Sequence, residues 1–533
     1  MKSLPVFLTM VSIMWSTMSH GQAGALDPSF GEGDGLVTTS FFTNQSCFGY
    51  SIATQADGKI VVAGTNENAN QFSSVIVARY SNDGTLDPTF NSTGKLVVPL
   101  QNKSGYLRSM VVQPDQKIVL LLAFKTDNES GIRLYRIMPD GNPDTTFNHT
   151  GWAGASFSSS YASGQAIALQ PDGKIVVCGN FGFDNDPDNK SYVLRFTQDG
   201  SPDSSFGITG LYSSKIGQSA SELNGIVVQP DGKILCAGYA VQNDQEDFMA
   251  LRLTSDGHLD FSFSEDAIAI VSLSDQVDRA YALALQPDGK VILAGEAYNF
   301  FTSAPSMAVV RLNDIGVPDT DFHEDGMNIY TVSGYADRAN SLVLQPDGKL
   351  LLGGYVHANV NDGADMAIMR LWPSGIPDDS WSDDGVAVYA DDLETSSSLN
   401  HITLQPDGLI AGTGFVLQDN IYSIRVARMV SGLVTSNTEI KEVHPIHSLS
   451  CSPSPFTDQL QVTYTLNEPT TVTLILRSID GKIYEILSPA SFRSAGTYTE
   501  QVLVSDSMAK GLYLLTIETP VGNQCMMVLK IEE

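Results

Sequence analysis

The sequence predicts an all-β protein that is built mainly from seven copies of one four-stranded unit. Two motifs repeat through most of the 533 residues. The first resembles QPDGK and begins at residues 55, 113, 170, 229, 286, 345 and 405. The second resembles LDxxF and begins at residues 26, 86, 143, 202, 259, 318 and 377. Because both motifs keep a period of 57 to 60 residues, they establish an internal repeat.

Each unit contains four strand signals, which we name a to d. In the first unit they cover residues 50–55, 59–65, 74–81 and 95–100. Strands b and c are rich in β-branched and apolar residues, and no helical periodicity separates the strands. In the turn between a and b, Pro presets φ, Asp caps the turn and Gly adopts the left-handed conformation. Four short strands per unit are typical of a blade, so the sequence predicts a seven-bladed β-propeller, with an open solenoid as the alternative.

The residues that repeat in the turns are expected to be structural. An arginine stands five residues before a turn glycine in six units, which predicts a scaffold ion pair or turn contact. A catalytic residue would instead break the symmetry of the repeat. The aromatic residue of the LDxxF-like motif is expected to wedge between neighbouring sheets, and Gln116 replaces a turn glycine, which predicts a strained or differently shaped turn. The arginines are Arg79, Arg136, Arg195, Arg252, Arg311 and Arg370, and the turn aspartates include Asp172, Asp231, Asp288 and Asp347.

The two ends of the repeat predict a closed ring. The last unit has strands a to c at about residues 400–405, 409–416 and 422–430, but it lacks the LDxxF-like motif and strand d. The N-terminal segment supplies both, because LDPSF at residue 26 is followed by an apolar stretch at 36–42. Residues 36–42 are therefore predicted to be strand d of the last blade, which leaves the ring without free edges.

The pattern LDxxFGxxG, QPDGKIVVAG and RLxxDG over residues 26–432 resembles the delta-60 repeat of secreted bacterial proteins. That resemblance implies an exported propeller-like protein and implies no particular reaction. Residues 1–21 read as a signal peptide, with Lys2, a short apolar stretch at 6–15, and Ser19 and Gly21 before the expected cleavage site. A buried first strand is the alternative. The predicted propeller domain covers residues 22–432.

After Gly432 the period stops. Residues 433–447 read as a polar linker, and residues 448–533 contain six or seven short strand signals, typical of an immunoglobulin-like β-sandwich. This module resembles the C-terminal sorting domain of the type IX (Por) secretion system of Bacteroidota. The match rests on SPSPF at 452–456, DGK at 480–482, AGTY at 495–498 and KGLYLL at 510–515, with Ser454 where the family usually has Asn. The residues that carry it are Pro455, Gly481, Lys482, Gly496, Gly511, Tyr513 and Lys530.

The resemblance implies that outer-membrane secretion machinery recognises the module and that the module is removed after export. The alternative is an adhesive sandwich that the mature protein retains. The predicted location is secreted or cell-surface, through the periplasm, with no transmembrane span in the mature protein. A formal net charge of -30 argues against nucleic acid as a partner. Five scattered cysteines predict no disulfide scaffold, and Cys178 and Cys236 lie in apolar strands as expected for buried thiols.

No catalytic or phosphate-binding motif is present, so the candidate binding residues are in the loops that vary between units. Phe300 and Phe301 form an unusual apolar pair in one of these loops and, with Asn299, are the predicted ligand-binding residues; the alternative is that the two rings fold back onto their own blade. No cofactor is expected. Asp184, Asp186 and Asp188 alternate as in a calcium loop but lack its Gly and distal Glu, so a solvated acidic loop is the first interpretation and calcium the alternative.

Three hypotheses for the function remain open at this point. The first is a non-enzymatic propeller that binds an extracellular glycan or protein. The second is a glycan hydrolase or lyase with carboxylates in the propeller channel. The third is a structural component of the surface or of adhesion.

Overall fold

The computed structural model describes most of the chain. The described residues are 22–67, 73–98, 105–126, 129–157, 161–182, 189–357, 363–390, 396–433, 446–453, 456–466, 470–478, 483–505, 510–519 and 522–531. The chain divides into two compact units, Met1–Val434 and Thr435–Glu533. Over the described ranges the predicted all-β class is confirmed, since a 3-10 turn at Phe147–His149 is the only helical element there. No helix in these ranges has the length and apolar character needed to cross a membrane. The predicted signal peptide lies outside the described residues.

The first unit contains seven four-stranded antiparallel sheets over its described residues. The strand that opens the chain is β1 (Leu36–Thr39). The first three contiguous sheets are β2 (Ser46–Thr54), β3 (Ile60–Glu67), β4 (Ser73–Tyr80) and β5 (Lys95–Val97); β6 (Tyr106–Val112), β7 (Ile118–Lys125), β8 (Ser130–Ile137) and β9 (Trp152–Phe157); and β10 (Tyr161–Leu169), β11 (Ile175–Gly182), β12 (Lys190–Phe196) and β13 (Leu211–Ser214).

The remaining sheets of this unit follow the same pattern. They are β14 (Ser221–Val228), β15 (Ile234–Gln242), β16 (Gln245–Leu253) and β17 (Ile268–Val271); β18 (Asp278–Leu285), β19 (Val291–Asn299), β20 (Ala304–Leu312) and β21 (Met327–Tyr330); β22 (Arg338–Leu344), β23 (Leu350–His357), β24 (Ala364–Leu371) and β25 (Val386–Tyr389); and β26 (Ser397–Leu404), β27 (Ile410–Gln418) and β28 (Ile421–Met429) with β1. We number these sheets 1 to 7, so that the sheet containing β1 is sheet 7.

The first strand of each sheet contacts the first strand of the next sheet, from β2 through β26, and β2 also contacts β26. Apolar side chains from adjacent sheets pack between them; one cluster, for example, joins Val61 and Val77 of sheet 1 to Leu120 and Tyr135 of sheet 2. These inner strands together line one cavity of about 250 Å³, which we call the channel. The hydrophobic core of this unit therefore lies between the sheets, and the channel lies inside their inner strands.

The N-terminal strand completes the last sheet, as predicted. β1 pairs antiparallel with β28, with Leu36 opposite Ala427 and Thr39 opposite Ile424. The strand ends at Thr39, three residues earlier than the predicted end at residue 42. Because β1 covers the outer edge of β28, strands from the two ends of this unit share one hydrogen-bonded sheet.

The repeated arginines join neighbouring sheets, which confirms their predicted structural role. Arg136 Nε donates to Asp144 Oδ2 over 2.7 Å, and Arg136 Nη1 donates to the Gln198 carbonyl of the next sheet over 2.7 Å. Its guanidinium also lies 4.5 Å from the centre of the Phe147 ring. The Nε–Oδ2 distance is 2.7–2.8 Å in every sheet, in the pairs Arg79–Asp87, Arg136–Asp144, Arg195–Asp203, Arg252–Asp260, Arg311–Asp319, Arg370–Asp378 and Arg428–Asp27.

The aromatic residue of each LDxxF-like motif occupies the predicted position between sheets. Phe147, for example, lies so close to Gly200 in the turn of the next sheet that a Cβ at Gly200 would come within 2.7 Å of its ring. Gly200 has a φ of +90°, which also favours glycine. The repeated turn glycine therefore serves both the backbone conformation and the close approach of the aromatic ring.

The turn at Gln116 keeps the glycine-type conformation and is strained, rather than differently shaped. Gln116 has a φ of 66°, in the left-handed region that costs a non-glycine residue roughly 1–2 kcal/mol. The Ala56 amide donates to Gln116 Oε1 over 3.1 Å. This contact with the turn of the preceding sheet offsets part of the backbone strain.

The second unit contains two sheets around one core. A three-stranded sheet has the order β29 (Ile446–Ser452), β30 (Gln459–Leu466) and β33 (Gly496–Leu503), and a four-stranded sheet has the order β32 (Ile483–Arg493), β31 (Thr470–Ser478), β34 (Gly511–Thr519) and β35 (Gly522–Lys530). Buried side chains from both sheets, including Leu460, Tyr464, Leu474 and Leu515, form its core. β29 begins at Ile446, inside the predicted linker at residues 433–447.

Candidate functional site

Every inner strand of the first unit carries a β-bulge at the same place in the repeat. In sheet 1 the register shifts between Gly49 and Ser51, so Tyr50 has no partner on β3. The equivalent bulged residues all line the channel, and we call them the bulge ring: Tyr50, Arg108, Gln165, Asn224, Tyr281, Asn340 and Asn400. A bulge re-aims a side chain without breaking the sheet, so a constant backbone here presents a different side chain from each sheet.

A glycine of strand b lies opposite the bulge in six of the seven sheets, whereas sheet 2 has Leu122 there and carries the same bulge. A Cβ at Gly64 would lie only 1.9 Å from the Phe48 carbonyl oxygen of the neighbouring strand. The same clash would occur at Gly238 and Gly295, at 1.8 and 1.9 Å. A glycine inside a strand commonly marks such a close backbone approach, so this glycine is a signal in the sequence for the bulge in six sheets, whereas the bulge at Arg108 has no such signal.

Asparagines of the bulge ring connect the inner strands of adjacent sheets. Asn224 Nδ2 donates to the Ala280 carbonyl over 2.9 Å, and Asn340 Nδ2 donates to the Leu399 carbonyl over 2.9 Å. Asn400 Nδ2 donates to the Gly49 carbonyl over 2.7 Å, between the last and first sheets. These bonds hold the amide groups in fixed orientations on the channel wall.

Two residues before the bulge, sheets 4 to 6 carry charged side chains where the other sheets carry none. The position holds Glu222, Arg279 and Arg338, whereas the remaining sheets have Phe48, Tyr106, Ser163 and Ser398. We call Glu222, Arg279 and Arg338, together with Tyr239, Glu246, Tyr281 and Glu296, the mouth cluster. The backbone is the same in all seven sheets at this position, but only sheets 4 to 6 have a charged side chain there.

The first half of the mouth cluster is centred on Glu222 and Arg279. Glu222 Oε2 accepts a hydrogen bond from Tyr239 Oη over 3.2 Å, and its other oxygen accepts one from Gln165. Arg279 binds Glu246 with two nitrogens, and its Nη2 donates to Oε1 over 2.9 Å. The guanidinium also lies 5.2 Å from the centre of the Tyr239 ring. Each charge therefore has a partner from a different strand.

The second half is centred on Tyr281 and Glu296. Tyr281 Oη donates to Glu296 Oε1 over 2.7 Å. The guanidinium of Arg338 lies 3.6 Å from the centre of the Tyr281 ring, and its Nε is 4.0 Å from Glu296 Oε2. Burial, above all, raises the pKa of Tyr281 and of Tyr239. Both phenols therefore stay protonated near neutral pH and act as hydrogen-bond donors.

The mouth cluster lies toward the variable loops. Strands a start after the d–a connections and strands b end at the b–c connections, so both connections emerge at one end of the channel, which we call the loop end. Residues two positions before the bulge are nearer to the start of strand a, and their partners Tyr239 and Glu296 are near the end of strand b. The QPDGK-type turns lie at the opposite end of the channel. A ligand at the mouth cluster would therefore also reach the variable loops.

The predicted binding residues lie in a hairpin at the loop end. Asn299 is only 7% exposed, and its Nδ2 donates to Thr331 Oγ1 over 2.6 Å. Its Oδ1 accepts from the Phe301 amide over 3.0 Å, so the Asn299 side chain stabilises the turn. Phe300 and Phe301 at the tip are 84% and 96% exposed. The structure therefore separates a buried turn residue from two exposed rings.

The other predicted site residues fall in several places. Asp184, Asp186, Asp188, Pro455, Gly481 and Lys482 lie outside the described residues. Gly496 and Gly511 begin strands with φ values of 144° and 155°, and Tyr513 is buried in the core of the second unit. Lys530 Nζ donates to the Ser505 carbonyl over 3.1 Å. Within the described ranges, no group of three His, Cys, Asp or Glu side chains is placed to hold a metal ion.

The mouth cluster was not predicted, although the sequence contains a signal for it. Counted back from the first residue of each QPDGK-type turn, the bulge residue is always five positions earlier and the cluster position is seven positions earlier. An alignment of the units at these two offsets singles out Glu222, Arg279 and Arg338 as the charged exceptions.

Six segments of the chain match a known family model. Residues 55–90, 113–147, 170–206, 229–263, 286–322 and 345–380 match the family described as "Domain of unknown function (DUF5122) beta-propeller". Five of the segments run from a QPDGK-type turn to the end of an LDxxF-like motif, and the last stops at residue 380, one residue before its motif ends. No curated protein matches the chain.

Several solved structures are similar to the chain. Polysaccharide lyase Uly1 has a TM-score of 0.42 and 11% identity, and the alignment covers 72% of this chain and 90% of that one. The β-propeller domain of the Trilobed protease from Pyrococcus furiosus has a TM-score of 0.35 and 10% identity, with coverage of 72% and 96%. Bacillus subtilis arabinanase Arb43A has a TM-score of 0.28 and 15% identity, with coverage of 50% and 93%. Identities this low do not transfer an activity.

Proposed function

We propose that the chain, six segments of which match a β-propeller family model, is a seven-bladed propeller that binds an extracellular glycan, without turnover, at the loop end of its channel. The observation that carries this proposal is the mouth cluster. A scaffold with equivalent bulges in all seven sheets places ionic and phenolic groups together in sheets 4 to 6. Residues that serve only the fold repeat from sheet to sheet, whereas these do not.

The chemistry of the cluster suits a hydroxyl-rich ligand. Tyrosines offer a flat ring face beside a polar group, and fixed carboxylates and guanidinium groups provide oriented acceptors and donors. Tyr239 and Tyr281 are both held by glutamates, at 3.2 and 2.7 Å. A ligand would therefore meet side chains that are already oriented, which lowers the entropic cost of binding.

Binding is favoured over catalysis because the cluster carboxylates already have protein partners. Glu222 accepts from Tyr239, Glu246 pairs with Arg279, and Glu296 accepts from Tyr281. A general acid or base must be within hydrogen-bond reach of the proton that it transfers. The alternative is a glycan hydrolase or lyase, and three glutamates at one end of a channel are the observation in its favour. A structural or adhesive component without a specific ligand is the third possibility.

The proposal includes export. The signal-like pattern at residues 1–21 would direct the chain across the inner membrane. The resemblance of residues 448–533 to the type IX sorting domain would supply the second signal, for passage across the outer membrane. In this view the module is an immunoglobulin-like sandwich that acts as an address, and the propeller is the working part of a secreted or surface-exposed protein.

The test is titration calorimetry of the full-length protein against a panel of neutral and acidic oligosaccharides. We expect Tyr281→Phe and Glu296→Gln to weaken binding at least tenfold, because each removes a group of the mouth cluster. Ser398→Ala is the matched control, since it changes the same repeat position in sheet 7 and should leave affinity unchanged. Phe300→Ser with Phe301→Ser tests whether the hairpin tip contributes.

Two outcomes would redirect the proposal. Equal affinity in the wild type and the cluster variants would mean that the ligand binds elsewhere. New reducing ends or unsaturated products after incubation with a glycan, absent in Glu296→Gln, would establish the enzymatic alternative instead.

A further inference from the structure

We infer that the channel holds an acidic sugar, whose carboxylate binds Arg108. This inference rests on the proposed glycan-binding function and adds the chemical class of the group that enters the channel. It comes from the bulge ring, which lies deeper in the channel than the mouth cluster.

The cavity wall has an unusual charge for this protein. The chain has 60 acidic and 30 basic residues. The residues that line the cavity nevertheless include one arginine, Arg108, and no aspartate, glutamate or lysine. His401 also lines the cavity, but burial lowers its pKa to about 4, so it is neutral at pH 7. Arg108 is therefore the one charged side chain on the cavity wall at pH 7, and the glutamates nearest to the wall, Glu222 and Glu296, are already bound to Gln165 and Tyr281.

Arg108 is exposed on the channel wall, close enough to Tyr50 for its charge to act on that phenol, and within the described part of the chain no hydrogen bond, ion pair or ring contact joins it to another residue. The arginines that join neighbouring sheets all pair with aspartates, and those of the mouth cluster pair with Glu246 and Glu296. The planar guanidinium group matches a carboxylate with two parallel hydrogen bonds. Arg108 can therefore bind a carboxylate of a ligand, as the other arginines bind aspartates and glutamates within the fold.

The amides around Arg108 indicate what the rest of the ligand offers. Asn224, Asn340 and Asn400 use their Nδ2 atoms to donate to backbone carbonyls of the next sheet. Each side chain therefore keeps a carbonyl oxygen, which can accept a hydrogen bond from a ligand hydroxyl. Tyr50 and Tyr281 of the bulge ring add phenols to the same wall. A ring that bears several hydroxyls and one carboxylate matches this set of groups.

The volume of the cavity and its single cationic side chain further restrict the class of ligand. A cavity of about 250 Å³ is below the usual range of ligand pockets, which begins near 300 Å³, so it suits one sugar residue rather than a chain. A phosphorylated sugar carries close to two negative charges, and only one cationic side chain lines the cavity. The net charge of -30 also opposes a multiply charged anion more than a monoanion.

The experiment is calorimetry of the full-length protein with glucuronate, galacturonate, glucose, galactose and glucose 6-phosphate. We expect both uronates to bind at least tenfold more tightly than the matching neutral sugars, and this preference to weaken as sodium chloride is raised. Arg108→Gln should remove the preference, and Arg108→Lys should keep part of it because the charge remains without the planar fork. Lys190→Gln is the control with the same change in net charge at an exposed position.

The outcomes separate this inference from the proposed function. Equal binding of uronates and neutral sugars, or no effect of Arg108→Gln, would overturn the acidic-sugar inference while leaving glycan binding intact. Tighter binding of glucose 6-phosphate than of the uronates would assign the cavity to phosphorylated sugars and would also overturn it. Absence of uronate binding by the folded wild type would overturn it directly. Because Arg108 has no such contacts with other described residues, its variants should unfold at the wild-type Tm, which excludes misfolding as the cause of any loss.

Discussion

Arg428 Nε donates to Asp27 Oδ2 over 2.7 Å, between residues that are 401 positions apart in the chain. Arg428 also donates to the Asn82 carbonyl of sheet 1, so the last sheet is joined to the first by the same contacts that join all the others. Arg428 was not among the six arginines named from the sequence, because no glycine stands five residues after it, and its aspartate lies in the N-terminal segment instead of eight residues further on. The closure of the sheets therefore depends on side chains as well as on β1.

The first prediction concerns this closure. A variant that lacks residues 22–42 would lose β1 and Asp27, exposing the edge of β28 and leaving Arg428 buried without its carboxylate. We expect aggregation, or a loss of several kcal/mol in the free energy of unfolding. Size-exclusion chromatography and urea unfolding would measure both. A monomeric variant with wild-type stability would show that the N-terminal segment is dispensable for the fold.

The second prediction concerns the loss of stability at acidic pH. Burial raises the pKa of Asp144, but hydrogen bonds from Thr146 and the charge of Arg136 outweigh it and lower the pKa to about 2. Asp87 and Asp203 also have pKa values of about 2, since their Thr89 and Ser205 hydrogen bonds and paired arginines outweigh burial. These folded-state values lie below those of the unfolded chain. The resulting stability, about 2 kcal/mol for each aspartate, is therefore complete above pH 3.8 and lost as the pH falls through 2.

Urea unfolding between pH 5 and pH 2 would measure this loss. Asp144→Asn should reduce the slope of stability against pH in that window, and it should lower stability at pH 5. Asp172→Asn is a control, because Asp172 is exposed in a turn and its carboxylate makes only a local contact with Lys174. An unchanged acid slope in Asp144→Asn would contradict the assignment.

The third prediction concerns His401, which is half-buried on the channel wall between the last and first sheets. Its Nδ1 accepts a hydrogen bond from the Ile52 amide over 3.2 Å, which requires the neutral ring. Burial lowers its pKa to about 4, below the unfolded value of 6.5. As the pH falls, His401 is therefore protonated in the unfolded chain before it is protonated in the folded protein. The stability that the neutral ring contributes is complete above pH 6.5 and is lost as the pH falls toward 4.

The full effect of His401 corresponds to about 3 kcal/mol. His401→Gln should flatten the dependence of stability on pH between 6.5 and 4, and it should leave the acid transition of the aspartates in place. His149→Gln is the control, because His149 lies in a turn that does not line the channel. Nuclear magnetic resonance titration of the His401 ring would give its pKa directly, and a value near 6.5 would contradict the prediction.

The fourth prediction concerns the second unit, residues 435–533. If residues 448–533 act as an address, their deletion should leave a folded propeller in the periplasm of the native host. The secreted form of the intact protein should then end within residues 433–449. Mass spectrometry of its C-terminus would show this directly. Normal export of the deletion variant, or a secreted protein that still ends at Glu533, would favour the retained adhesive sandwich.

The sequence by itself determined the local and periodic features of this protein. The QPDGK-type turns, the four strands per unit, the pairing of residues 36–39 with the last sheet and the structural role of the repeated arginines all follow from patterns that recur every 57 to 60 residues. Strands, turns and their termination depend on neighbouring residues, so a repeated motif is enough to predict them. Gln116 shows the same principle, since the missing glycine predicted a strained or differently shaped turn, and the turn keeps its shape with Gln116 in the left-handed region.

Only the tertiary structure decided which side chains meet in the channel. Arg279 and Glu246 come from different sheets, and so do Arg338 and Tyr281, so no spacing within one unit predicts either pair. The direction of each bulge-ring side chain depends on a backbone shift, opposite a glycine of the neighbouring strand in six sheets and opposite Leu122 in sheet 2, which changes the alternation of an ordinary strand. Sequence periodicity describes what the units share, whereas the candidate site consists of the residues in which they differ, brought together by the packing of the inner strands.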